Sequence, residues 1–150
     1  MITAYTDGAC RVSNPGVCSC AWVIYGEHGG PVSKGYYLGY NYSNNFAEYH
    51  GLLYLLEHLY AHNLKNVQIY SDSAVVVNQV NQKWNASNHP DLEKFMRKAY
   101  GLITAGNHRL YHIRGHGKNQ SAERNAGNDE ADRICNAVLD ARKEDYEKQN

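Results

Sequence analysis

Apolar and polar residues alternate in "MITAY" at the start of the chain, and a period of two marks a strand with one buried face. The pattern predicts a strand over 1–6, a turn at Gly8, and a loop punctuated by Asn14-Pro15-Gly16. Residues 18–25, "CSCAWVIY", predict a second strand, and the tyrosine-rich "GYYLGYNY" over 35–42 predicts a third. Three strands joined by short turns form an antiparallel meander.

The period then changes. Tyr49, Leu52, Leu53, Leu56, Leu59 and Tyr60 fall 3, 1, 3, 3 and 1 residues apart, which is one face of an amphipathic helix. Asn44 or Asn45 is placed to cap it. "VQIYSD", 67–72, predicts a fourth strand, and Ser73–Asn81 a second helix despite the β-branched "AVVV". Pro90 suits the first turn of a third helix, where Leu92, Phe95, Met96, Ala99, Leu102 and Ile103 repeat the same spacing. "RLYHIRG", 109–115, predicts a last strand, and a Gly- and Asn-rich loop leads to a final helix from about Asn128. Strands in a run, followed by strands alternating with helices, imply an α/β fold: one domain over 1–150, a five-stranded mixed sheet flanked by helices.

Charge narrows the function. Lys plus Arg and Asp plus Glu both number 15, so the net charge is zero, whereas a non-specific polyanion binder is usually basic. Nucleic acid would have to be held by a local patch or by bound cations. No run is apolar and long enough to cross a bilayer, and the first residues lack a signal-peptide pattern. No membrane partner and a cytoplasmic location are expected. Cys10, Cys18, Cys20 and Cys135 lack the paired spacing of a zinc site. Cys18 and Cys20 read as small packed side chains on one strand face, in a reducing setting.

Four carboxylates fall at the ends of these elements. Asp7 ends the first strand and Asp72 the fourth, where open α/β sheets present ligand-binding groups. Glu48 lies in the first turn of the leucine-rich helix and Asp132 in the first turn of the last, both leaning toward the apolar stripe. Each alone has an ordinary use: a turn for Asp7, a helix cap for Asp72, a favourable helix-dipole position for the other two. Four together exceed those uses. Converging carboxylates about 4 Å apart repel by about 4 kcal/mol per pair at an effective dielectric near 20. Raised pKa values or bound cations must relieve this, and oxygen-only ligands suit Mg²⁺ or Mn²⁺. Two such ions make the arrangement that hydrolyses phosphodiesters.

The segments "TDGAC", "NNFAEYHGLL", "IYSDS", "GHGKN" and "NDEADRICNA" resemble type 1 ribonuclease H in order and approximate spacing, over roughly residues 1–143. The resemblance implies a metal-dependent nuclease, active as a monomer, that cuts the RNA strand of RNA–DNA hybrids. It implies that Asp7, Glu48, Asp72 and Asp132 hold two Mg²⁺ ions, with Mn²⁺ able to substitute, and that Asp72 helps position the attacking water. Asp129 and Glu130 are then left to a solvated helix start. His116 matches the family's mobile histidine, which aids proton transfer or product release. Asn14, Asn44 and Asn45 fall near the hybrid, where an amide can both donate to and accept from a 2′-hydroxyl, and Ser43 falls near a DNA phosphate. Two features depart from the family. "NQKWNASNHPDLEKF" is a short and nearly uncharged version of the basic protrusion, and the loop between His116 and Asp132 reads as longer than usual. The alternatives are a non-catalytic ribonuclease H-like nucleic-acid-binding module, which has no use for four costly carboxylates, and a transposase- or exonuclease-like relative.

Overall fold

The computed structural model describes residues 1–26, 29–82, 90–114 and 120–147. Its strands are β1 (Thr3–Arg11), β2 (Gly16–Tyr25), β3 (Val32–Tyr42), β4 (Gln68–Ser71) and β5 (Arg109–His112). The helices are α1 (Asn44–Ala61), α2 (Ala74–Val80), α3 (Pro90–Gly106), α4 (Ala122–Ala141) and α5 (Lys143–Glu147). The sheet runs β3-β2-β1-β4-β5; β1, β2 and β3 pair antiparallel, while β1 with β4 and β4 with β5 are parallel. The expected five-stranded mixed sheet and α/β class are therefore both present.

Period-two alternation sorts the strand side chains between two cores. Ala4, Trp22, Ile24 and Ile69 face the α1–α3 side, packed with Leu52, Leu55, Leu56 and Leu59. Tyr5, Val23, Tyr70 and Ile113 face the other side, against Ala131 of α4. A smaller cluster of Val17, Leu139 and Tyr146 ties the end of the β1–β2 hairpin to α4 and α5. The helical stripe predicted for α1 is buried except at Tyr60, which is 73% exposed.

Several boundaries differ from the sequence reading. The chain does not turn at Gly8. β1 continues to Arg11, with Asp7 opposite Ala21 in the ladder to β2, so Asp7 lies inside the strand. The cap of α1 is Ser43, whose hydroxyl accepts from the Phe46 N–H at 3.1 Å, not Asn44 or Asn45. Glu48 consequently falls one or two residues deeper in the helix than expected. α4 begins at Ala122, where Ser121 caps it by accepting from the Arg124 N–H at 3.1 Å. The supposed long loop before Asp132 is thus largely helix, and Asp129, Glu130 and Asp132 all lie in its interior turns. The sparse apolar content of "AERNAGND" hid those turns. Cys18 is not simply a packed side chain: it forms a disulfide with Cys10 across the β1–β2 ladder, while Cys20 and Cys135 are free and buried. That pairing removes the basis for a reducing setting read from the cysteines.

Two glycines let α1 lie directly on β1. A Cβ on Gly8 would stand 2.4 Å from the Ala47 carbonyl carbon and 2.4 Å from the Glu48 nitrogen, and one on Gly51 would stand 2.7 Å from the Asp7 carbonyl oxygen. Backbone is against backbone there, with no flexible side chain to yield. Gly8→Ala is therefore expected to destabilise the protein by roughly 1–3 kcal/mol, as overpacking does. Gly101→Ala, in open space on α3, should stabilise by up to about 1 kcal/mol through helix propensity. Urea unfolding of the two variants beside the parent checks both signs.

Candidate active site

The parallel ladder between β1 and β4 ends at the pair Thr6 and Ser71. The next residue on each strand is an aspartate, so Asp7 and Asp72 emerge side by side where the two strands part. The backbone contact at Gly8 and Gly51 delivers Glu48 from α1 to the same point, and the Gly8 N–H donates to its Oε1. Ligand oxygens of Asp7, Glu48 and Asp72 lie within 4.8 Å of one another. Asp72 is not the cap of α2. Ser73 takes that role, accepting from the Val76 N–H at 3.2 Å, which leaves the Asp72 carboxylate to face Asp7 and Glu48.

Burial and charge set the protonation of this trio. Asp7 is 5% exposed and Glu48 8%, while Asp72 stands at the more open rim. Burial, then the Asp72 charge, pushes the Asp7 carboxyl from 3.8 up to about 7, against the hydrogen bonds from Glu48 and Gly8. Burial, then the charges of Asp7 and Asp72, holds Glu48 well above the usual carboxylate range. Asp72 is raised by burial and by Asp132, and is relieved by Glu48 and His112. Beneath the trio, burial keeps the Cys20 and Cys135 thiols protonated and uncharged.

Asp132 does not join the close group. It is exposed on α4, outside the 4.8 Å cluster, although its charge is felt by both Asp7 and Asp72. His116 lies outside the described residues, as do Lys83 and Trp84 of the protrusion. The remaining expected residues gather one turn up α1 from Glu48: the Asn14 Oδ1 accepts from the Asn44 N–H at 3.0 Å, beside the Ser43 cap, with Asn45 next along the helix. One neighbour escaped the sequence reading. The His112 imidazole, at the end of β5, has its Nε2 3.3 Å from the Asp72 carbonyl oxygen. Its place in the β4–β5 register, opposite Ser71, brings it there, and sequence spacing carries no signal of that pairing.

The donors are all carboxylate oxygens, held close in a site that resists full ionisation, and this fits a hard divalent cation. Metal-free stability should carry the mark of the trio. Between about pH 4 and pH 7 the folded state keeps the Asp7 proton and the unfolded chain releases it, so rising pH favours unfolding. Buried His50 and His108, held neutral, act in the opposite direction over part of that range. Comparison with Asp7→Asn isolates the effect. With EDTA present, Asp7→Asn should match the parent near pH 4.5 and exceed it near pH 8, by on the order of 2–4 kcal/mol. Mg²⁺ should narrow the gap. Urea unfolding at both pH values checks this, and a gap that does not change with pH contradicts it.

Known proteins resemble this chain in sequence and in fold. The RNase H family model matches residues 1–140. Ribonuclease HI of Halobacterium salinarum is 31% identical over 140 residues, which span 93% of this chain and 64% of that protein. Ribonuclease H of Clostridium botulinum is 28% identical, spanning 93% of this chain and 95% of that one. The crystal structure of RNase H1 from H. salinarum superposes with a TM-score of 0.76 at 30% identity, covering 93% of this chain and 98% of that chain. An RNase H1 isolated from compost, solved in complex with an RNA/DNA hybrid, superposes at 0.71 with 28% identity, covering 93% and 99% of the two chains. A match across nearly the whole sequence, with the same fold beneath it, makes this chain a member of the RNase H family.

Proposed function

We propose that the chain hydrolyses the RNA strand of RNA–DNA hybrids, with two divalent metal ions held by Asp7, Glu48, Asp72 and Asp132. The convergence of Asp7, Glu48 and Asp72 within 4.8 Å carries this reading. The family match and the hybrid-bound compost relative support it. Mg²⁺, or Mn²⁺ in its place, would supply charge stabilisation at the phosphate and a lowered pKa for a bound water. A non-catalytic binding module would gain nothing from burying mutually repelling acids.

The chain's own groups divide the remaining work. Asp7 and Glu48 are the buried anchors. Asp72, at the open rim, orients the water that adds to phosphorus, and Asp132, outside the close trio on α4, would complete the metal ligands from the solvent side. The RNA 3′-oxygen leaves and takes a proton, giving a 3′-hydroxyl and a 5′-phosphate. His116 moves that proton or speeds product release. Asn14, Asn44 and Asn45 read the 2′-hydroxyls, and Ser43 meets a DNA phosphate. The reading includes a cytoplasmic monomer; among the described residues no helix is long and apolar enough to cross a membrane.

Hybrid, duplex DNA and single-stranded RNA offered with Mg²⁺ and with EDTA test the proposal. Cleavage of RNA in the hybrid alone, and only with the metal, is expected. Equal cutting of duplex DNA, or cutting in EDTA, would overturn it. Asp72→Asn should abolish cleavage without unfolding the protein. His116→Ala should slow turnover by roughly 10²–10⁴-fold at most, as loss of a proton-transfer group does, with metal affinity unchanged.

A further inference from the structure

The Cys10–Cys18 bond clamps the loop end of the β1–β2 hairpin, three residues beyond Asp7. Asn14 sits at the tip of that hairpin, where its Oδ1 accepts from the Asn44 N–H at the start of α1. Both sulfurs lie against the carbonyl oxygen of Tyr42, at 3.7 Å from Cys10 and 3.2 Å from Cys18, and Tyr42 directly precedes the Ser43 cap. The bond therefore touches the junction that presents Ser43, Asn44 and Asn45. It also lies where regular pairing fails: the β2–β3 register shifts on both sides of Cys18.

The hairpin is held in a conformation that its sequence does not favour. Val12 is β-branched and 65% exposed, yet its φ is 78°. Such a residue persists only when its surroundings over-determine it. Three restraints do so: the disulfide, the Asn14–Asn44 hydrogen bond, and Arg11. The Arg11 guanidinium donates to Asp140 at 2.5 Å, Tyr146 Oη at 3.2 Å and Asn136 Oδ1 at 2.9 Å. Of the three, only the disulfide can be removed by a change of solution redox state.

We propose that Cys10–Cys18 is a reversible thiol–disulfide site whose oxidised form holds the Asn14 arm against α1 and so tightens the grip on a hybrid; this rests on the functional reading above. The chemistry is exchange with a small dithiol or a small disulfide. A dithiol's thiolate attacks Cys10, which is half-buried, rather than the fully buried Cys18. The S–S bond breaks, Cys18 leaves as a thiolate and takes up a proton, and the second reductant thiol then displaces Cys10. Two electrons pass to the protein and the reductant closes as a disulfide. A low-molecular-weight disulfide reverses the sequence. In a cytosol such bonds form transiently and report redox state. Once the bond opens, the arm can relax at Val12 and the Asn14–Asn44 hydrogen bond weakens.

The test compares hybrid cleavage and amide hydrogen exchange in dithiothreitol and in oxidised glutathione, with alkylation and mass spectrometry counting the thiols. Reduction should free two further thiols and raise KM about fivefold or more, with little change in kcat. The Asn44 amide should exchange faster. Cys10→Ser/Cys18→Ser should behave as the reduced protein in both solutions, and Cys10→Ser alone provides the same comparison should the double variant fold poorly. Unchanged KM after verified opening of the bond, or a redox response that survives in the variants, overturns the proposal. If neither form cuts a hybrid, the functional reading has failed, and Asn44 exchange then decides alone: faster exchange on reduction upholds the arm restraint, and unchanged exchange overturns it.

Discussion

Backbone contact between α1 and β1 is the constraint on which the site depends. With glycine at both 8 and 51, the helix has no side chain between itself and the strand. Glu48 is therefore carried into the region where Asp7 and Asp72 emerge, so that two buried carboxylates, Asp7 and Glu48, stand beside a third at the open rim. Carboxylates about 4 Å apart cost about 4 kcal/mol per pair at an effective dielectric near 20, so the apo site retains protons that free carboxyls would lose. The same geometry is poor for stability and good for a divalent cation. Closeness, burial and raised pKa values are one fact seen three ways.

The sheet supplies the rest of the placement. β1 outruns its parallel partner β4, so Asp7 stays fixed by the ladder to β2 while its other edge opens toward Asp72. Ser73 caps α2 and leaves Asp72 available, and β5 brings His112 behind it. Below the carboxylates lie two neutral thiols; above them, one turn up α1, lies the Asn14–Asn44 contact. The β1–β2 hairpin links these levels, since Asp7, the disulfide and Asn14 are successive stations on it.

Much of this was legible in the sequence. Period-two strands, the leucine stripe of α1 and the acids in "TDGAC", "NNFAEYHGLL" and "IYSDS" led to the correct sheet and to the three carboxylates that converge. The misses have physical causes. Asp7 read as the end of a strand because Gly8 looked like a turn, whereas Gly8 is a close-packing position inside β1. α4 read as starting near Asn128 because "AERNAGND" has too few apolar residues to show a helical period, and its first turns face solvent. That error placed Asp132 in a buried first turn rather than on an exposed interior turn. The Cys10–Cys18 bond was invisible because it depends on the β1–β2 register, which spacing alone does not reveal. His112 was hidden for the same reason: its neighbour Asp72 is close only through strand pairing.

The fold forces Asp7, Glu48 and Asp72 to share charge at one point. Carbon-13 NMR titration of the carboxyl groups of the metal-free protein measures this directly. Asp7 should titrate near pH 7, Glu48 should also stay protonated well above the usual range, and both carboxyl signals should shift on addition of Mg²⁺. Ordinary titration of all three groups near pH 4, with no response to Mg²⁺, would contradict it.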